Sequence, residues 1–85
     1  MGLRVTVEDT GGAQVDTAAI AHLSLSTPAA VRTHTVDFHN WVSVANGTGD
    51  LCCHDGRMSA PTRPGLGIDV DAEALGAPLF TVTGV

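Results

Sequence analysis

Residues 7–23 read VEDTGGAQVDTAAIAHL: a strand end, a paired-glycine turn and an apolar helical stretch, in that order. Just upstream, Leu3, Val5 and Val7 alternate with Arg4 and Thr6, the two-residue period of a strand over 2–8. Gly11-Gly12 breaks that period before the helix begins. A helix N-terminus behind a glycine turn is an anion site in principle, because its free N–H groups and dipole favour negative charge. The nucleotide fingerprints are missing, however: there is no GxGxxG and no glycine loop ending in Lys-Ser or Lys-Thr. Glu8 and Asp9 also stand where a phosphate would approach. The stretch reads as a strand-to-helix turn or as the wall of another kind of active site, with a phosphate cradle third.

Working outward, a helix is expected over 15–26, with Gln14 or Asp16 near its start. Val15, Ala18, Ala19, His22, Leu23 and Leu25 or Ser26 form its apolar stripe. Pro28 biases Thr27 out of the helical region and stops it. His22 falls on the apolar side, as a satisfied core histidine rather than a ligand. Residues 32–38 form a second strand, with His34, Val36 and Phe38 facing one way and Thr35, Asp37 and His39 the other. The apolar set is assigned to the helix side, so Asp37 and His39 project together from the opposite face at the strand's carboxyl end. Strand, helix, strand over forty residues is a βαβ unit, which implies parallel strands.

After Trp41 the composition turns small and polar, with Asn46-Gly47 and Thr48-Gly49 as turn signals. Segments 51–54 and 57–60 flank Asp55-Gly56, a strong hairpin signal. Arg63-Pro64-Gly65-Leu66-Gly67 reads as a tight turn. Residues 71–76 form one helical turn capped by Asp71 and left at Gly76, and 79–82 could add a last short strand.

Eighty-five residues make at most one small domain, marginal without staples or partners. Hydrophobic content of 44 % with 15 % charged residues argues against a disordered chain. The net charge of −5 disfavours nucleic acid and anionic membrane surfaces. All four cations of side chains Lys and Arg are arginines, so lysine bases, Schiff bases and a P-loop lysine are outside this chain's own chemistry. No apolar run has the ~20 residues of a membrane span, and the first dozen residues lack a signal-peptide core, so a cytoplasmic setting is expected. Cys52 and Cys53 are adjacent, poorly placed for an ordinary disulfide, and expected to be free structural thiols. With His54 they spell Cys-Cys-His, but the second ligand pair of a zinc site is not visible in the sequence.

Three pieces, VEDTGGAQVDTAAIAHLSLSTP, TVDF and DGRMSAPTRPGLGIDVDAEALGAP, resemble the carboxyl end of mandelate racemase/muconate lactonizing enzymes of the enolase superfamily. The nearest likeness is to amino-acid-directed members: racemases and epimerases of proline-type betaines, and hydroxyproline dehydratases. The resemblance implies an α/β fold, the C-terminal fragment of a (β/α) TIM-type barrel. Residues 1–40 would be the last two strands with the helix between them. Residues 41–85 would return, through a hairpin, to pack on the capping domain. Sites of such barrels are built at the carboxyl ends of the strands. Glu8, Asp9 and Thr10 then line the substrate side, and Asp37 and His39 are peripheral catalytic candidates.

The family abstracts a proton next to a carboxylate, with Lys or His bases and Mg²⁺ stabilising the enediolate. The resemblance implies that its lysine bases and acidic metal ligands lie on strands upstream of Met1. This chain alone is thus expected to bind no cofactor or metal and to be inactive. Its implied partners are a small carboxylate substrate in the complete enzyme, the rest of the barrel with its capping domain, or further copies of itself. Two other readings compete: a small structural or oligomer-forming module, and a Cys/His metal protein built on His34, His39, Cys52, Cys53 and His54.

Overall fold

The computed structural model describes residues 2–8, 11–36 and 41–84. Strand β1 (Val5–Glu8) pairs in parallel with β2 (Arg32–Val36), and helix α1 (Gln14–Ser26) makes the crossover between them. A second, antiparallel pair joins β3 (Gly47–Thr48) to β4 (Asp69–Val70), and α2 (Ala72–Leu75) follows it. Strand β1 is shorter than the 2–8 alternation predicts, because Leu3 has nothing to cover it and stays exposed. β2 ends at Val36; the predicted extension through Asp37 and Phe38 lies outside the described residues.

The register carries an irregularity that alternation alone does not reveal. Val5 is opposite Arg32, Val7 opposite Thr35 and Glu8 opposite Val36, so two steps on β1 match three on β2. The extra residue is a bulge, which resets the facing of everything beyond it. Thr35 therefore shares a face with buried Val7, and its hydroxyl hydrogen-bonds Ser24 Oγ of α1 at 2.7 Å. This corrects the expected facing: Thr35 lies on the helix side, and Val36 lies with Glu8 on the other.

α1 also differs from its predicted stripe. Its buried residues are Thr17, Ala18, Ala21 and Ser24, whereas Ala19 is exposed and Leu23 and Leu25 are 57 % and 56 % exposed. Small side chains let the helix approach a two-stranded ribbon closely, while the leucines project past its edges. The C-terminus of α1 is closed in part locally, by the Ser26 and Thr27 hydroxyls donating to the Leu23 carbonyl, but its N-terminus is not closed by its own side chains. The N-cap is Ala13, without a side-chain hydrogen bond, and the first-turn donor Val15 N–H is taken by Asn46 Oδ1 at 3.1 Å. Asn46 N–H in turn donates to Gln14 Oε1 at 3.0 Å, and Asn46 C=O accepts from Asp71 N–H at 2.9 Å. At the other end, Arg32 Nη1 donates to the Ser24 carbonyl, placing a cation where the helix dipole is negative. The Asn46-Gly47 pair is thus a clasp entering β3 rather than a turn.

The tail is tied to α1 a second time, where His22 Nε2–H donates to the Leu66 carbonyl at 2.9 Å. The His22 ring is satisfied, as expected, but the residue is half-buried rather than core. Leu66 is held by the turn closed from Gly67 N–H to Pro64 C=O, at 3.2 Å. Gly67 has φ 77°, and a Cβ there would lie 2.5 Å from Pro61 Cβ, so only glycine fits. At the hairpin tip, Asp55 (φ 51°) and Gly56 (φ 71°) form the expected turn, closed by paired His54–Arg57 hydrogen bonds of 2.8 and 2.9 Å. Its arms, predicted over 51–54 and 57–60, do not continue as strands, because those bonds make only an isolated bridge. Asp71 Oδ1 caps α2 from Glu73 and Ala74 N–H, and Gly76 ends it, as the pattern predicts. Residues 79–82 form no strand: Leu79 and Phe80 are almost wholly exposed, with no edge beside them to pair with.

Asn46→Ala removes the acceptor for Val15 N–H and should lower unfolding free energy by about 1 kcal/mol, the usual cost of losing an N-cap. Asn46→Asp keeps an acceptor at the helix's positive end and should stay near wild type in the same denaturant titration.

Candidate functional site

Parallel pairing brings the carboxyl ends of β1 and β2 side by side at Glu8 and Val36. Val7 is buried against α1, so alternation turns Glu8 to the opposite face, and its carboxylate is exposed. Glu8 is the described member of the predicted set; Asp9, Thr10, Asp37 and His39 lie outside the described residues. Among the described residues no three His, Cys, Asp or Glu side chains come together as a metal-binding group. His34, Cys52, Cys53 and His54 do share a wall, that of an open cavity of about 870 Å³ between α1, β2 and the hairpin. Both cysteines are free, as expected, but exposed rather than structural.

Elsewhere, the guanidinium of Arg63 donates to both carboxylate oxygens of Asp69, at 2.8 and 3.1 Å. Those hydrogen bonds first, and the guanidinium charge second, hold Asp69 below the usual carboxylate range and raise Arg63. Sequence reading did not single out this pair, whose only signal is a six-residue separation across a glycine turn. It braces the turn that holds Leu66 and is not part of the strand-end site.

Residues 1–74 match the family described as enolase C-terminal domain-like. The chain belongs to that family. This enolase-superfamily segment is 40 % identical over 78 residues to a cis-3-hydroxy-L-proline dehydratase of Roseibium aggregatum, covering 92 % of the chain and 21 % of the relative. Among solved structures it is similar to a mandelate racemase/muconate lactonizing enzyme from Roseovarius nubinhibens complexed with magnesium. There the TM-score is 0.87 and the identity 38 %, over 96 % of the chain and 22 % of the relative. A second structure from that organism, of the same description without magnesium, gives TM-score 0.83 and 38 % identity, over 93 % and 21 %. The enolase-superfamily segment thus spans about a fifth of the length of the relatives it matches. Its mixed α/β fold is that of their C-terminal domain. No helix among the described residues is long and apolar enough to cross a membrane.

Asp69, with its pKa lowered on folding, adds stability at pH values above its unfolded pKa, and that contribution is lost as pH falls through the folded one. The Asp69 carboxyl should therefore titrate below ordinary aspartates by NMR, and Arg63→Gln should return it to the normal range. High salt should narrow the difference, because both side chains are exposed.

Proposed function

We propose that this chain is the closing section of an enolase-superfamily (β/α) barrel. Residues 1–40 are its last βαβ unit, and 41–85 return to the capping domain. The complete enzyme acts as a racemase, epimerase or dehydratase on an amino acid or proline derivative, removing the proton α to a carboxylate. The observation that carries this reading is the parallel β1–β2 pair, crossed by α1 on one face, with Glu8 and Val36 adjacent at its carboxyl edge. Barrel enzymes build their sites at that edge. The dehydratase relative supports the substrate class.

Within this scheme the chain supplies a wall. It contains no lysine, so the lysine bases implied by the family come from elsewhere. Its described residues do not fit a magnesium site, since they hold no cluster of three ligands, and no step is assigned to a metal through them. Glu8 faces the interior of the ring that the two strands would help close. A carboxylate there can hold a substrate ammonium or orient a base, because opposite charge and a hydrogen bond act together at short range. Asp9, Thr10, Asp37 and His39 are proposed to lie near the same strand ends on the resemblance alone, since the helix-side placement of Thr35 removes the alternation argument for Asp37 and His39.

The isolated 85-residue chain should turn over neither cis-3-hydroxy-L-proline nor a proline betaine, with or without added Mg²⁺. Turnover by the pure chain would overturn the fragment reading. In the complete enzyme, Glu8→Gln should lower kcat/KM by about tenfold, or ~1.4 kcal/mol of transition-state stabilisation, with Asp50→Asn unchanged. Equal kinetics for both variants would make Glu8 a solvated strand end.

A further inference from the structure

Cys52 and Cys53 are adjacent, free and exposed, and both line the cavity between α1, β2 and the hairpin. They belong to neither a strand nor a helix. On one side they are anchored by buried Leu51, and on the other by the two hydrogen bonds that close the His54–Arg57 turn. The thiols are thus held at a defined place while their own backbone is free of ladder bonds.

Neighbouring Cα atoms sit about 3.8 Å apart, short of the ~4.4–6.8 Å that a relaxed disulfide spans, so direct S–S bonding is strained. One atom inserted between the sulfurs enlarges the ring and removes that strain. Because no third ligand joins the pair among the described residues, the atom that suits this site needs only two thiolates. It must also be thiophilic, since sulfur is a soft donor.

We propose that Cys52 and Cys53 form a two-thiol site for a monosubstituted trivalent arsenical. Two As–S bonds form and the arsenic–oxygen bond is lost. The oxygen leaves as one water carrying both thiol protons, and arsenic stays trivalent, so no oxidant or reductant is involved. After the first As–S bond forms, the second is intramolecular, at the high effective concentration that adjacency provides. Glu8 is not among the residues that line this cavity, and the site's existence is independent of the barrel reading.

The test is titration of the folded chain with phenylarsine oxide. One equivalent should bind, add a single phenylarsenic group by mass, and block both thiols against an aromatic disulfide reagent. A small dithiol should reverse it where a monothiol does not. Cys52→Ser and Cys53→Ser should each keep one reactive thiol yet bind at least about a hundredfold more weakly, the expected loss of the second, tethered contact. Binding of two equivalents, undiminished affinity in either variant, uptake only after denaturation, or no uptake would each overturn the proposal.

Discussion

Side chains from elsewhere in the chain meet both ends of α1, beside the local Ser26 and Thr27 hydroxyl bonds to the Leu23 carbonyl, and the rest of the architecture hangs on those two long-range ties. Asn46 accepts from Val15 N–H, and Arg32 donates to the Ser24 carbonyl. A helix of thirteen residues leaves orphan donors and acceptors at its ends and is marginal in water by itself. Here the partners for those groups also fix the neighbours. Arg32 opens β2, so closing the helix C-terminus sets where the second strand starts. Asn46 leads into β3 and also accepts from Asp71 N–H, so closing the N-terminus draws in the antiparallel pair and α2. His22, bonded to Leu66, adds a third tie from the middle of the same helix.

What these polar ties organise is not a large core. Among the described residues the buried apolar side chains are Val7, Ala13, Ala18, Ala21 and Leu51. The radius of gyration is 14.4 Å, against about 12 Å for a compact domain of this length. Leu23, Leu25, Trp41 and Phe80 are among the large apolar side chains left at the surface. Exposed apolar groups beside unpaired strand edges mark a surface made to be covered. The chain spans about a fifth of its relatives' length, and the helix's leucines and the ribbon's edges are the surfaces that the proposed barrel reading would cover.

The sequence was legible wherever the signal is local. Alternation located β1 and β2. Pro28 ended α1, leaving Thr27 extended at φ −86° and ψ 128°. Asp55-Gly56, Asp71 and Gly76 each did what their intrinsic backbone preferences or side-chain acceptors dictate. The misreadings share one cause, which is that partners distant in sequence leave no local mark. Asn46 looked like a turn residue because its job as a cap is performed 31 residues away. Leu23 and Leu25 looked like core because they fall on the apolar stripe, yet both are exposed in the structure. Of the candidate site, only Glu8 could be followed from pattern to position.

The β2 bulge shows how finely that position depends on a single residue. Without it, Val7 would sit opposite His34, and the side chains beyond would exchange faces across the ribbon, since facing has a period of two. With it, Thr35 turns to Ser24 and locks to the helix, and Val36 is left beside Glu8 on the open face. The hydroxyl pair Thr6–Thr33, at 2.7 Å, lies next to the extra residue and ties the two strands there by side chains. The Glu8 carboxylate there is exposed. Such a group acquires a task only when the surface opposite it is supplied. That is the physical ground for the proposal that this segment forms one wall of a site.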